Sequence, residues 1–217
     1  MTTAAHSAMF ALVVLLATQV LAQTTSSASS DSNTAAASQW SFALVTSGYL
    51  VPHDQSYLSP TFTADHRWLH LEARYNYEYQ RTGSLWAGYN FSVGDKFVLE
   101  VTPMLGAVFG STTGIAPGFN ISLTHKRLEL SAQGEYVFNK DDRAASFFYT
   151  WNELTYSPTD WFHAGLVAQR TRAYHTDLDV QRGFSVGVAY KKMDFTTYIF
   201  NVGWTDPTVV LVLGFTF

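Results

Sequence analysis

The last stretch of the chain, Thr208-Val209-Val210-Leu211-Val212-Leu213-Gly214-Phe215-Thr216-Phe217, constrains it most. Read with a period of two, Val209, Leu211, Leu213, Phe215 and Phe217 share one face, and Thr208, Val210, Val212, Gly214 and Thr216 the other. That period belongs to a β-strand, and a wholly apolar face ending on aromatics needs hydrocarbon against it. Residues 68–79 repeat the pattern more sharply. Leu69, Leu71, Ala73, Tyr75, Tyr77 and Tyr79 lie on one side, with His70, Glu72, Arg74, Asn76 and Glu78 on the other.

The alternation continues through short connections. Strands are expected over residues 40–51, 56–64, 68–79, 84–93, 97–109, 115–124, 128–138, 148–156, 161–170, 183–190, 195–204 and 208–217. The strand at 40–51 has poorly distinguished faces, and Pro60 weakens the second, since proline lacks a ladder donor. Leu85, Phe91, Leu99, Leu105, Ile115, Ile121 and Leu123 read as outward. Glu100, Glu129, Ser131, Gln133, Glu135, Trp151 and Glu153 read as inward. The count, ten to twelve strands, suits an antiparallel up-and-down barrel.

Alternation alone does not say which side is wet, because a soluble barrel alternates too. Size decides against an apolar interior, since about eight strands are already just filled by side chains. The polar face also carries unlike charges, as at Glu72, Arg74 and Glu78, and aromatics gather near strand ends. Composition agrees: 16 % of residues are aromatic and only 14 % charged, against roughly 25 % charged in soluble domains. The fold class is therefore all-β, a transmembrane barrel over residues 40–217. A net charge of −4 is too mild to name a partner and gives no support to nucleic-acid binding.

A chain closing on Phe217, with apolar Leu213 and Phe215 at alternate positions before it, resembles the Gram-negative outer-membrane β-barrels. The resemblance implies an outer-membrane location and an insertion signal in Leu213, Phe215 and Phe217 read by the barrel assembly machinery. An even strand count closes the topology and puts both ends in the periplasm. The turns at 65–67, 94–96, 125–127, 157–160 and 191–194 would then be periplasmic. The loops at 52–55, 80–83, 110–114, 139–144, 171–181 and 205–207 would be extracellular.

Residues 1–22 read as a secretory signal peptide, with an apolar run too short to span a bilayer and Val20-Leu21-Ala22 before the cut. Its first residues hold His6 but no Lys or Arg. Residues 23–39, rich in Ser, Thr and Ala, lack periodicity and read as a disordered tether. The absence of cysteine excludes a disulfide framework and a lipid-modified N-terminal cysteine.

The candidate pore-lining residues are Glu72, Arg74, Glu78, Asn90, Glu100, Glu129, Glu135, Glu153 and His163. Hairpin register places Arg74, Asn90 and Glu100 in one row, and Thr124, Glu129, Glu153 and His163 in another. The second row has two readings, a proton-sharing carboxylate pair with a histidine or a polar network that stiffens the barrel. The resulting expectation is a narrow pore for small solutes with a weak cation preference. The alternative is a plugged structural or adhesive barrel blocked by Trp68, Trp86, Met104, Tyr149 and Trp151.

An outer-membrane hydrolase is a weaker reading. No outward Ser–His pair suits a phospholipase-like site, and the loops are short for a protease-like one. Residues 175–179, His-Thr-Asp-Leu-Asp, are a weak cation motif better read as a solvated turn; no catalytic residue, metal or cofactor is assigned. Arg81, Lys140, Arg143, Arg170, Arg172 and Arg182 lie toward the extracellular side, where lipopolysaccharide phosphates would pair with them.

Overall fold

The structure, a computed structural model, describes residues 40–50, 55–173, 179–203 and 207–217. The expected signal peptide, the tether and His175 to Leu178 of the cation motif lie outside these residues. The wall begins with β1 (Ser41–Leu50), β2 (Tyr57–His66), β3 (Leu69–Tyr75), β4 (Thr82–Tyr89) and β5 (Phe91–Val93). It continues with β6 (Val98–Gly110), β7 (Gly114–His125), β8 (Leu128–Asn139) and β9 (Phe147–Thr159). The last strands are β10 (Phe162–Ala173), β11 (Asp179–Tyr190), β12 (Met193–Phe200) and β13 (Thr208–Thr216).

Apart from β4 and β5, each strand pairs antiparallel with its chain neighbours, and β13 returns to β1, with Leu44 opposite Phe215. The ring is complete because β4 also pairs with β6, Thr82 facing Gly110 and Gly88 facing Met104. β4 and β5 are two halves of one wall strand interrupted at Asn90, so the sheet is a closed twelve-stranded barrel. Closure satisfies every ladder without leaving an edge, which hydrocarbon demands.

The outer surface is apolar along its height: Leu58, Leu85, Leu105, Ile115, Leu130 and Leu166 are exposed, Leu166 to 66 %. Facing inward are Ser59, Thr61, Thr63, Ser122, Ser131, Ser185 and Thr196, all buried. β1 resolves the face its sequence leaves ambiguous: Ala43, Val45, Ser47 and Tyr49 point in, while Leu44 and Leu50 point out. At the end that holds both described termini, Phe217 stacks on Phe42 and Phe62 at centroid distances of 6.4 and 6.5 Å. The Phe217 amide donates to the Phe42 carbonyl at 3.0 Å, so the last residue joins the first strand.

Three expectations are corrected. β3 stops at Tyr75 instead of running to residue 79, because Asn76 takes φ +53° and turns the chain inward. Tyr77, expected on the lipid side, is wholly buried in the barrel. β12 ends at Phe200, short of residue 204.

Candidate functional site

The lumen is built around the segment 76–81. Its base is pinned where the Asn76 amide donates to the Thr82 carbonyl at 2.8 Å and the Arg81 amide to Asn76 Oδ1 at 2.7 Å. Asn76 Nδ2 also donates to the Leu58 carbonyl at 2.9 Å. With both ends held at the rim, Tyr77 and Glu78 have only the interior to enter, and both are wholly buried there. Glu78 Oε1 accepts hydrogen bonds from Ser84 and, at 3.1 Å, from Trp86 Nε1. Gln133 Nε2 donates to the Tyr77 hydroxyl.

Arg74, on the inner face of β3, lies between two rings. Its Cζ is 4.2 Å from the Tyr77 centroid and 4.3 Å from that of Trp86. Nε donates to Glu72 Oε2 at 2.5 Å, Nη1 to Glu135 Oε2 at 3.0 Å, and Glu78 Oε1 lies 3.9 Å from Nη1. Among the described residues, Nη2 meets the Met104 sulfur, at 3.6 Å. From Glu72 the network runs toward the termini: His70 bridges Glu72 and Asp65 at 2.7 Å on each ring nitrogen. Asn90 Nδ2 donates to Asp65 at 2.7 Å and Thr102 donates to Asn90 at 2.8 Å. Arginine in such a site offers a planar fork that both stacks and pairs with carboxylates.

Aromatic and aliphatic side chains pack beside this network. Trp151 meets Tyr198 and Phe200 edge-on at 5.1 and 5.2 Å. Tyr49, Tyr77, Tyr149 and Val210 belong to the same buried cluster. Trp86, Met104, Val108, Ala116 and Val137 form a second one. Gly106 and Gly118 clear space for the Trp86 indole; a Cβ at Gly106 would stand 2.5 Å from it.

A second polar group lies nearer the termini. Ser185 and Tyr198 donate to Glu153 at 2.6 and 3.2 Å. His163 Nε2 lies 2.9 Å from Thr196 Oγ1, which donates to Asp194 Oδ1 at 2.7 Å. Ser122 donates to Glu100 at 3.3 Å, and Glu129 takes the inner side of β8.

All nine residues named from the sequence face the interior, but the rows differ. Arg74 stands opposite Ser84, not Asn90, because the turn between β3 and β4 is centred at residue 79. Ser92, not Asn90, stands opposite Glu100. In the second row Thr124 does pair with Glu129. Glu153, however, faces Ser131 and Val167, and His163 belongs with Thr196 and Asp194. Glu78 reaches the lumen from a loop and not from a strand. Trp68 is 55 % exposed on the outside, so it blocks nothing, whereas Trp86, Met104, Tyr149 and Trp151 are buried within.

The sequence reading placed His70 on the polar face without naming it as pore-lining, and missed Asp65, Tyr77, Asp194, Thr196 and Tyr198 as interior groups. Strict alternation through residues 193–200 would have found Asp194, Thr196 and Tyr198. Nothing local marks Tyr77.

A closed barrel of even strand number, apolar outside and with polar groups on its inner face, is a transmembrane β-barrel of the outer-membrane type. Comparison with solved structures agrees on the fold. The KdgM porin superposes with a TM-score of 0.58 at 12 % identity, covering 81 % of this chain and 99 % of that one. The same porin in complex with disordered oligogalacturonate gives the same values. A membrane protein from a study of in-meso crystallisation matches with a TM-score of 0.53 at 14 % identity, over 82 % of this chain and 83 % of that one. No protein-family model and no curated protein sequence matches the chain.

Proposed function

We propose that this barrel is a narrow outer-membrane pore for small solutes with a weak preference for cations. The observation that carries the reading is the one-sided charge of the inner face. Asp65, Glu72, Glu78, Glu100, Glu129, Glu135, Glu153 and Asp194 face inward, and among the described side chains Arg74 is the one arginine or lysine that joins them. Acidic groups along a passage lower the entry barrier for cations. The oligogalacturonate named with KdgM is a carboxylate polymer, and an interior of this sign does not favour it. Porin neighbours support a channel and not an enzyme.

The exposed Arg81, Lys140, Arg143, Arg170 and Arg182 suit lipopolysaccharide phosphates, and the strand ending on Phe217 suits the assembly machinery. A second reading, a plugged structural barrel, draws on the buried cluster of Tyr77, Tyr149, Trp151 and Phe200.

Planar-bilayer recordings separate the two. Steady conductance steps support the pore, and silence supports the plug. In asymmetric salt the reversal potential should indicate cation preference, strongest at low ionic strength, where screening is least. Replacing Glu129 and Glu153 together with Gln should reduce that preference, and Arg74→Gln should increase it. An anion preference in the wild-type barrel would overturn the assignment.

A further inference from the structure

Three carboxylates, Glu72, Glu78 and Glu135, crowd a single guanidinium, that of Arg74, between two aromatic faces. The arrangement matches guanidinium chemistry in both directions. The Tyr77 and Trp86 rings cover the flat faces, where a delocalised cation is attracted by ring quadrupoles. The carboxylates meet the N–H edge, where charge-assisted hydrogen bonds are strongest.

Arg74 does not satisfy every acceptor that surrounds it. Glu78 Oε2, Glu135 Oε1 and Gln133 Oε1 are buried atoms with no hydrogen-bond partner. Their residues are all at least nine-tenths buried. Gln133 spends its amide nitrogen on Tyr77, so what it leaves over is also an acceptor. Buried acceptors without donors are costly. Meanwhile Arg74 Nη2 is directed at a thioether, a weak acceptor. The surplus is therefore uniform in kind: acceptors and negative charge, awaiting a positive group rich in N–H. A metal ion does not answer this need, because among the described residues no set of three His, Cys, Asp or Glu is arranged to hold one.

We propose that Glu72, Glu78, Glu135, Gln133 and the Tyr77 and Trp86 rings form a recognition site for guanidinium and primary ammonium groups, with Arg74 as its internal occupant. The solutes this barrel takes are then small organic cations that compete with Arg74 for the same carboxylates. The transport half of this inference rests on the pore reading; the binding half does not.

The first test uses the full-length barrel in detergent. Arg74→Ala empties the position, and its unfolding temperature should fall and be restored by methylguanidinium on the order of millimolar, the range of a single small cation's affinity. Urea, of similar shape but uncharged, should not restore it. Should Arg74→Ala fail to fold, wild-type channels decide. Agmatine added to a sodium-carrying channel should reduce the current saturably, and Glu135→Gln should weaken that block at least tenfold. Restoration in detergent from a barrel that never conducts would keep the site and remove the pore. Conductance with equal responses to agmatine and sodium, and no restoration, would remove the site and keep the pore. Unchanged agmatine block in Glu78→Gln and Glu135→Gln barrels would mean that protons alone satisfy these carboxyls, and the proposal falls.

Discussion

Gly106 illustrates how much of this interior is decided one atom at a time. It sits behind the Trp86 indole, with the position of a Cβ only 2.5 Å from the ring. The indole also stacks against Arg74 and is hydrogen-bonded at its nitrogen to Glu78 and Ser84, which restrains it from giving way. Gly106→Ala should therefore destabilise the barrel by about 1–3 kcal/mol, the usual cost of overpacking. Equilibrium unfolding in lipid vesicles would check it, with the outward Ala107→Val as a tolerated control. At this scale the sequence was partly legible. Parity placed Glu72, Arg74, Glu129, Glu135 and Glu153 on the inner face from alternation alone. Tyr77 escaped because parity presumes that the strand continues, and Asn76 ends it without a glycine or proline to announce the turn.

At the scale of the strand, what matters is that the outer face is solvated by lipid and the inner face by other side chains. Leu130 on β8 is 52 % exposed, and its neighbour Ser131 only 2 %. Leu130→Arg should cost about 2–4 kcal/mol if it lies near mid-bilayer, and unfolding in vesicles would measure it. The inner face is not the lenient control that a water-filled lumen would supply. Glu72 lies wholly inside the Arg74 and His70 contacts, so Glu72→Arg should be at least as damaging, through like charge beside Arg74. Strand number and direction were readable because hairpin connections are short and the period is strict. Register was not, because each turn centre misplaced by one residue shifts the pairing sum by two. The turn between β3 and β4 was expected near residue 82 and lies near 79, and that difference moves Arg74 from Asn90 to Ser84. Asn90 itself interrupts the fourth wall strand, with its side chain committed to Asp65 and its amide to the Trp68 carbonyl.

For the molecule as a whole, closure is a contact between the two ends of the described chain. Phe217→Asp should leave export intact and sharply reduce insertion, since it puts a charge where Phe42 and Phe62 supply a stacked apolar partner. Outer-membrane fractionation and the heat-dependent gel shift would report it; normal levels of the folded form would contradict the reading. The same seam carries a consequence for the order of events during biogenesis. Phe42 and Phe62 lie in the first two strands, yet their aromatic partner is made only after the last strand, β13. Until then β1 has one ladder open, and a nascent barrel is a sheet with an unpaired margin. The wall cannot seal before β13 is made, because only β13 supplies the second ladder of β1. A truncated product would present that open margin to its neighbours and be a substrate for aggregation or proteolysis instead of a smaller barrel.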